Sequence, residues 1–166
     1  MKIKIDSHII LRSARKRDTK LIINFIRGLA EYEHLTHMVE ADEKKLIRYI
    51  FKKKMVEVVI AEYDKKPAGF TVFFSNFSTF LGKPGIYIED LFVKPEFRGK
   101  GIGKNLLSYL AKLVQERKYG RLEWACLNWN EPSIKFYKSQ GARSLNDWTV
   151  YRVSGEKLSA LALKNK

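Results

Sequence analysis

Ile86-Tyr87-Ile88-Glu89-Asp90-Leu91-Phe92-Val93, followed after four residues by Arg98-Gly99-Lys100-Gly101-Ile102-Gly103, is the stretch that decides the fold. The first part reads as a β-strand and the residues after it as the start of a long amphipathic helix. A glycine-dense turn between a strand and a helix start leaves backbone N–H groups without intrahelical partners. It also lets a phosphate approach them at the positive end of the helix dipole. Arg98, Lys100 and Lys104 add positive charge. The segment Arg98, Gly99, Lys100, Gly101, Ile102, Gly103 and Lys104 is therefore read as a pyrophosphate site. A glycine turn that merely connects two elements is the alternative.

Two common phosphate loops do not fit. A nucleotide-triphosphate loop needs Lys-Ser/Thr after its last glycine, and Gly103-Lys104 is followed by Asn105. A dinucleotide fingerprint needs Gly-x-Gly-x-x-Gly, whereas Gly99, Gly101 and Gly103 alternate. The pattern that remains is Arg-x-x-Gly-x-Gly.

Working outward, 166 residues suffice for one domain with a substantial core, taken here as 1–166. A hydrophobic content of 45% argues against disorder. No apolar run is long enough to span a membrane, and the charged start Met1-Lys2-Ile3-Lys4 has no signal-peptide core. The single cysteine, Cys126, rules out an intramolecular disulfide and makes a reducing cytoplasm the expected location. His8, His34 and His37 lack metal-ligand spacing, so no metal is expected. The net charge of +14 invites a nucleic-acid reading. The cations are spread along the chain, however, and no recognition helix, zinc finger or long basic tail accompanies them. A solvated cationic surface that steers an anionic ligand inward is the simpler account.

The coarse elements alternate. A strand is expected at 8–14. A helix follows from Asp18 to about Tyr32, with Leu21, Ile22, Phe25, Ile26 and Leu29 on one face. Asp42 caps a second helix carrying Leu46, Ile47, Ile50 and Phe51. Strands 57–63 and 68–77 form a hairpin across Asp64-Lys65-Lys66-Pro67. Strand 86–93 precedes a helix over 103–118. A strand at 122–127, a helix from Asn130 to Gly141 and a closing strand at 148–153 complete the order β-α-α-β-β-β-α-β-α-β.

Three further segments fall in step with the glycine loop: Tyr87-Ile88-Glu89-Asp90, Trp129-Asn130-Glu131-Pro132-Ser133-Ile134-Lys135-Phe136-Tyr137, and Gly141-Ala142 leading to Trp148. Together they resemble the GNAT superfamily of acetyl-CoA-dependent N-acetyltransferases. Within it they look like the branch of diamine (spermidine/spermine) and thialysine acetyltransferases. The resemblance covers roughly 8–163 and is strongest over 87–142. It implies an α/β (α+β) fold, with a mixed, mostly antiparallel sheet and helices on both faces. It also implies acetyl-CoA as cosubstrate, and acetyl transfer to a primary amine of a diamine, polyamine or thialysine-like amino acid.

The residues that match the family's motifs carry its roles here by implication. Tyr137 matches the tyrosine that protonates the departing thiolate, as a neutral phenol with a directional O–H can. A helix tyrosine packed beside Phe136 is the bland alternative. Glu89 matches the carboxylate that draws a proton from the amine, and Asp90 a second acid associated with polyamine binding. Adjacent on a strand, the two are expected on opposite faces. Phe92 and Val93 would offer backbone groups to the pantetheine arm. Asn130 would bond it or cap its helix, and Ser133 and Phe136 would line the cofactor. Glu33 and Trp148 fall where the family contacts the amine, since a carboxylate and an aromatic face both suit an ammonium.

Departures also matter. Ser78-Thr79-Phe80 replaces the Asp-Pro-Trp of polyamine-preferring members and looks nearer the thialysine type. Ser139 and Gln140 stand where cationic cofactor contacts are usual. The branch pairs its subunits, so a homodimer is expected, with no membrane and no specific nucleic acid as partner. Acetylation of a protein lysine or N-terminus, and a cationic nucleic-acid-binding module, are the competing functions.

Overall fold

The computed structural model describes residues 1–163. They fall into two compact units, Met1–Ala125 and the part from Cys126 onward. The first unit holds a six-stranded sheet in chain order, β1 (Lys2–Lys4), β2 (Ile9–Ser13), β3 (Glu57–Tyr63), β4 (Lys66–Ser78), β5 (Lys83–Val93) and β6 (Leu122–Trp124). All neighbouring pairs are antiparallel except β5 with β6, which run parallel. The mixed, mostly antiparallel sheet is thus present as expected. The β3–β4 hairpin turns at Asp64 and Lys65, both at positive φ (48° and 64°), a two-residue turn whose twist suits the strands it joins.

Helices cover both faces of this sheet. Helix α1 (Thr19–Tyr32) and helix α2 (Glu43–Leu46, continued by a π-helical stretch Ile47–Lys52) cover one face. Their Ile22, Phe25 and Ile50 pack with Val58 and Ile60 of β3, Phe70 and Val72 of β4, and Phe92 of β5. The Phe25 ring stacks on Phe70 at 5.1 Å and meets the Phe92 ring edge-on at 6.4 Å. Gly28 of α1 lets the helix pack closely here, since a Cβ at that position would lie 3.1 Å from the Phe92 ring and press on it. Residues of the opposite parity, Val59, Ala61, Thr71 and Phe73, are equally buried. They belong to the face that helix α3 (Ile102–Glu116) covers with Ile102, Leu106, Leu107 and Leu110.

One irregularity sets the layout of β5. Phe73 pairs with Ile88 and Val72 with Asp90, so Glu89 is an extra residue opposite β4. This is a β-bulge. Paired residues share a face, and Val72 and Phe73 face opposite ways. Ile88 therefore lies on the α3 face and Asp90 on the α1/α2 face, although both are even-numbered. The unbroken pleating assumed for the strand around Glu89 and Asp90 does not hold, because the bulge interrupts it between Ile88 and Asp90.

Other differences are local. Asp18 does not cap α1 with its side chain. Its carboxylate accepts from the Arg15 N–H (2.7 Å) and from both terminal nitrogens of Arg12 (2.7 and 3.0 Å). Burial opposes ionisation of Asp18, but these bonds outweigh it and hold its carboxyl below the ordinary aspartate range. Asp42 does cap α2, accepting from the Lys45 N–H at 2.7 Å. Strand β1 was unforeseen, since three residues with two lysines carry little periodic signal. The strand expected at 122–127 ends at Trp124.

The second unit contains α4 (Glu131–Ser139) and α5 (Gly155–Leu163). Asn130 caps α4, its side-chain oxygen accepting from the Ser133 N–H at 3.3 Å. Gly141 follows that helix at φ +87°, the left-handed position expected of it. The strand expected at 148–153 is absent. Trp148, Val150 and Tyr151 are 74%, 82% and 90% exposed, so the apolar alternation that suggested a strand finds no sheet partner among the described residues. Helix α5 was missed as well. No helix among the described residues is long and apolar enough to cross a membrane.

Candidate active site

Two parts of the first unit hold most of the expected site residues, the start of α3 and the exit of β5. The glycine turn ends with Gly101 as the N-cap of α3, at φ +77°, with Gly99 at +75°. Only glycine adopts this backbone without strain. A Cβ at Gly99 would meet nothing within 4 Å, and one at Gly101 only the Asn105 amide nitrogen at 3.7 Å. These glycines are thus needed for backbone shape and leave an open approach to the N–H groups of Ile102, Gly103 and Lys104 in the first helical turn. The Ile102 side chain is buried, so its backbone alone is presented.

The loop's cations are held by specific contacts. Arg98 donates from Nε to the Val93 carbonyl (3.1 Å), and its guanidinium lies 4.5 Å from the Tyr32 ring centre. The Lys100 ammonium sits over Tyr63 (4.6 Å) and Phe97 (5.4 Å). Lys104 is exposed on the first turn of α3.

At the strand exit, β6 pairs with β5 only from Ile86 to Ile88. From Glu89 to Val93 that edge of β5 has no paired strand among the described residues. An extended chain bearing amide groups fits such an edge by strand-like hydrogen bonding. Phe92 presents only its backbone to it, since its ring is in the core.

Glu89 is exposed on the bulge. Asp90 is half-buried, and Thr71 donates to its backbone carbonyl at 2.9 Å. Burial, then the charges of Glu89 and Glu33, push the Asp90 carboxyl up to about 7. Glu33 follows the last residue of α1 and is itself raised by burial. Glu33, Glu89 and Asp90, the acids expected from the sequence to meet the amine, thus lie near enough for the first two to act on the third. Asp90 also lines a cavity of about 390 Å³ beneath α1 and α2, with Ile22, Ile26, Leu46, Tyr49, Ile50, Val56 and Val72. The sequence showed those residues only as helix and strand core. No local signal marks a cavity assembled from four elements.

The remaining expected residues lie in the second unit. The ring of Tyr137 is half-buried beside Phe136, with centroids 5.3 Å apart. Asn130 is buried at the start of α4 and Ser133 lies in its first turn. Trp148 lies on the exposed stretch before α5.

The sheet thus opens at the exit of β5, and a glycine turn follows it into the N-terminus of α3. Residues 22–142 match the acetyltransferase (GNAT) family, and the chain belongs to it. The thialysine N-epsilon-acetyltransferase of Bos taurus is 32% identical over 168 residues, spanning 94% of this chain and 98% of that protein. The L-ornithine N5-acetyltransferase NATA1 of Arabidopsis thaliana is 29% identical over 197 residues, spanning 91% and 86%. Among solved structures, integron cassette protein VCH_CASS6 of V. cholerae superposes with a TM-score of 0.79 at 30% identity, covering 96% of this chain and all of that one.

The raised Asp90 carboxyl has a stability consequence. Below about pH 4 it is protonated in both folded and unfolded chains. Between about 4 and 7 the folded chain keeps a proton that the unfolded chain releases, so stability from this group falls as pH rises and is lowest above 7. Asp90→Asn should therefore raise the thermal midpoint at pH 8 and leave it nearly unchanged at pH 4, measured by differential scanning calorimetry. An equal shift at both pH values would remove the electrostatic cost assigned to Asp90.

Proposed function

We propose that this chain, acting as a single acetyltransferase domain, transfers the acetyl group of acetyl-CoA to a primary amine of a small molecule. The observation that carries this is the pairing of an open, positive-φ glycine turn at the start of α3 with the unpaired edge of β5 next to a half-buried acid. The thialysine and ornithine acetyltransferases it resembles, named for small amines, support the choice of acceptor.

In this proposal the backbone of Gly99, Lys100, Gly101, Ile102, Gly103 and Lys104 receives the pyrophosphate, with Arg98 neutralising charge nearby. Phe92 and Val93 pair with the pantetheine arm through their backbones, assisted by Asn130, Ser133 and Phe136. Glu33, Glu89 and Asp90 attract the ammonium, and Trp148 contributes an aromatic face to it. Glu89 accepts the proton that must leave before the amine can attack. The nitrogen lone pair then attacks the thioester carbonyl, and the C–S bond breaks. Tyr137 gives its proton to the departing sulfur. No metal takes part. A reducing cytoplasm suits the single cysteine.

Gly101→Glu tests the cofactor assignment. A carboxylate would replace open space at the helix N-terminus, and isothermal titration should show acetyl-CoA affinity reduced by roughly 100-fold or more. Unchanged affinity would falsify the phosphate-loop assignment. Tyr137→Phe removes a proton donor and little volume. It should lower kcat by about 100-fold with acetyl-CoA affinity nearly unchanged. A kcat within a few-fold of the parent would reduce Tyr137 to packing beside Phe136.

We further propose a homodimer that covers the apolar stretch 148–153. Trp148, Val150 and Tyr151 are exposed in the single chain, and isolated apolar segments of this kind seek partners. Sedimentation equilibrium at micromolar concentration should show a dimer that Val150→Asp and Tyr151→Asp together convert to monomer. A parent protein that is monomeric throughout that range would remove the proposal.

A further inference from the structure

The Arg98 side chain occupies part of the open edge of β5. The peptide joining Val93 to Lys94 is trans, so its carbonyl and its N–H point in opposite directions. The Lys94 N–H donates to the Ala68 carbonyl of β4 at 2.9 Å. The Val93 carbonyl is therefore aimed away from β4, at the open edge. Beyond Lys94 the chain folds back. Phe97 donates to the Lys94 carbonyl at 2.9 Å and Arg98 to the Pro95 carbonyl at 3.1 Å. This turn returns the Arg98 side chain to the end of β5, where its Nε donates to the Val93 carbonyl at 3.1 Å.

An amide of an added strand would donate to that oxygen from the same distance. Such a strand runs about 4.8 Å from its neighbour, and the guanidinium lies in that lane. The oxygen has a second lone pair, but a strand backbone and a guanidinium cannot share one lane. Tyr32, the last residue of α1, adds a second hold, its ring centre 4.5 Å from the guanidinium carbon. Among the described residues no carboxylate pairs with Arg98, so its charge is left for an anion.

A neutral pantetheine arm has nothing to draw this cation off the edge. A diphosphate at the glycine turn does, because bonds between ionised partners are about twice as strong as neutral ones. Arg98 stands immediately before Gly99, so side-chain rotation alone carries the guanidinium from Val93 to that turn.

From this we infer that Arg98 sets donor selectivity: it bars the β5 edge at Val93 until a diphosphate at the glycine turn draws it away, so a neutral pantetheine thioester without phosphates is excluded. Tyr32 is its positioning residue. The inference rests on the proposed use of acetyl-CoA and adds how donors are told apart.

The probes are acetyl-CoA, S-acetylpantetheine, which has the same thioester arm without the phosphorylated nucleotide, and inorganic pyrophosphate. Isothermal titration and amide NMR titration give the affinities at constant ionic strength. In the parent protein pyrophosphate should tighten S-acetylpantetheine by about threefold or more, the scale of one freed hydrogen bond, and should shift the Arg98 Nε–H resonance. Arg98→Ala should bind S-acetylpantetheine more tightly by the same factor with no further gain from pyrophosphate, and acetyl-CoA more weakly. Tyr32→Leu should show part of the gain for S-acetylpantetheine, and Tyr32→Phe, which keeps the ring, none. Pyrophosphate that leaves S-acetylpantetheine affinity unchanged or lowers it in the parent would overturn the inference, and this arm needs no variant to fold. Arg98→Ala that binds S-acetylpantetheine no better than the parent would overturn it too. In both cases tight acetyl-CoA binding by the parent leaves the acetyltransferase reading standing. A parent that binds neither thioester refutes that reading, and the Arg98 gate with it.

Discussion

The layout of this molecule hangs on one extra residue. Glu89 bulges out of β5, and the parity of that strand reverses across it. Ile86 and Ile88 serve the α3 face before the bulge, and Asp90 and Phe92 serve the α1/α2 face after it. Without the bulge Asp90 would point toward the α3 face, away from the α1/α2 cavity, and Phe92 could not meet Phe25. The bulge also falls where β6 stops accompanying β5, so the same place frees a strand edge. A local change of register thus creates the edge, the acid and the cavity together.

The acid is held there against its own preference. A carboxylate among Ile22, Ile50 and Val72 loses water and gains two acidic neighbours. Its proton affinity rises to about 7, near the pH at which an amine must be gathered and deprotonated. This opposes the folded state and favours cation binding, which is the usual relation between a strained site and its function. The scaffold supplies the compensation elsewhere. Arg12 on β2 satisfies Asp18 and Glu62, and the aromatic cluster of Phe25, Phe70 and Phe92 packs the core beneath α1.

The charge pattern is similarly divided. Cations that the sequence shows as a diffuse excess become locally committed in the structure. Arg98 ties the loop to the end of β5 and stacks on Tyr32, and Lys100 lies across Tyr63 and Phe97. These contacts join the glycine turn to α1 and to the β3–β4 hairpin. The cations near the turn thus help to shape the loop in addition to offering positive charge to a phosphate.

The sequence by itself determined what depends on neighbours along the chain. The apolar periodicity of α1 and α3, the caps at Asp42 and Asn130, the left-handed glycine at 141, and the strand runs of β3 and β5 are local patterns, and they were legible with their ends within a few residues. The motif strings over 87–142 carried the family, because a phosphate turn and its flanking elements are contiguous. What only the tertiary structure decided depends on registration between strands. The Glu89 bulge exists only relative to Val72 and Phe73, so pleating predicted from β5 alone would put Ile88 and Asp90 on one face, and the register puts them on two. The cavity at Asp90 is built from four elements distant in sequence, and each of its aliphatic residues reads locally as core. The stretch 148–153 shows the converse failure: its alternation is real, but a strand needs a paired edge, and among the described residues none is offered to it.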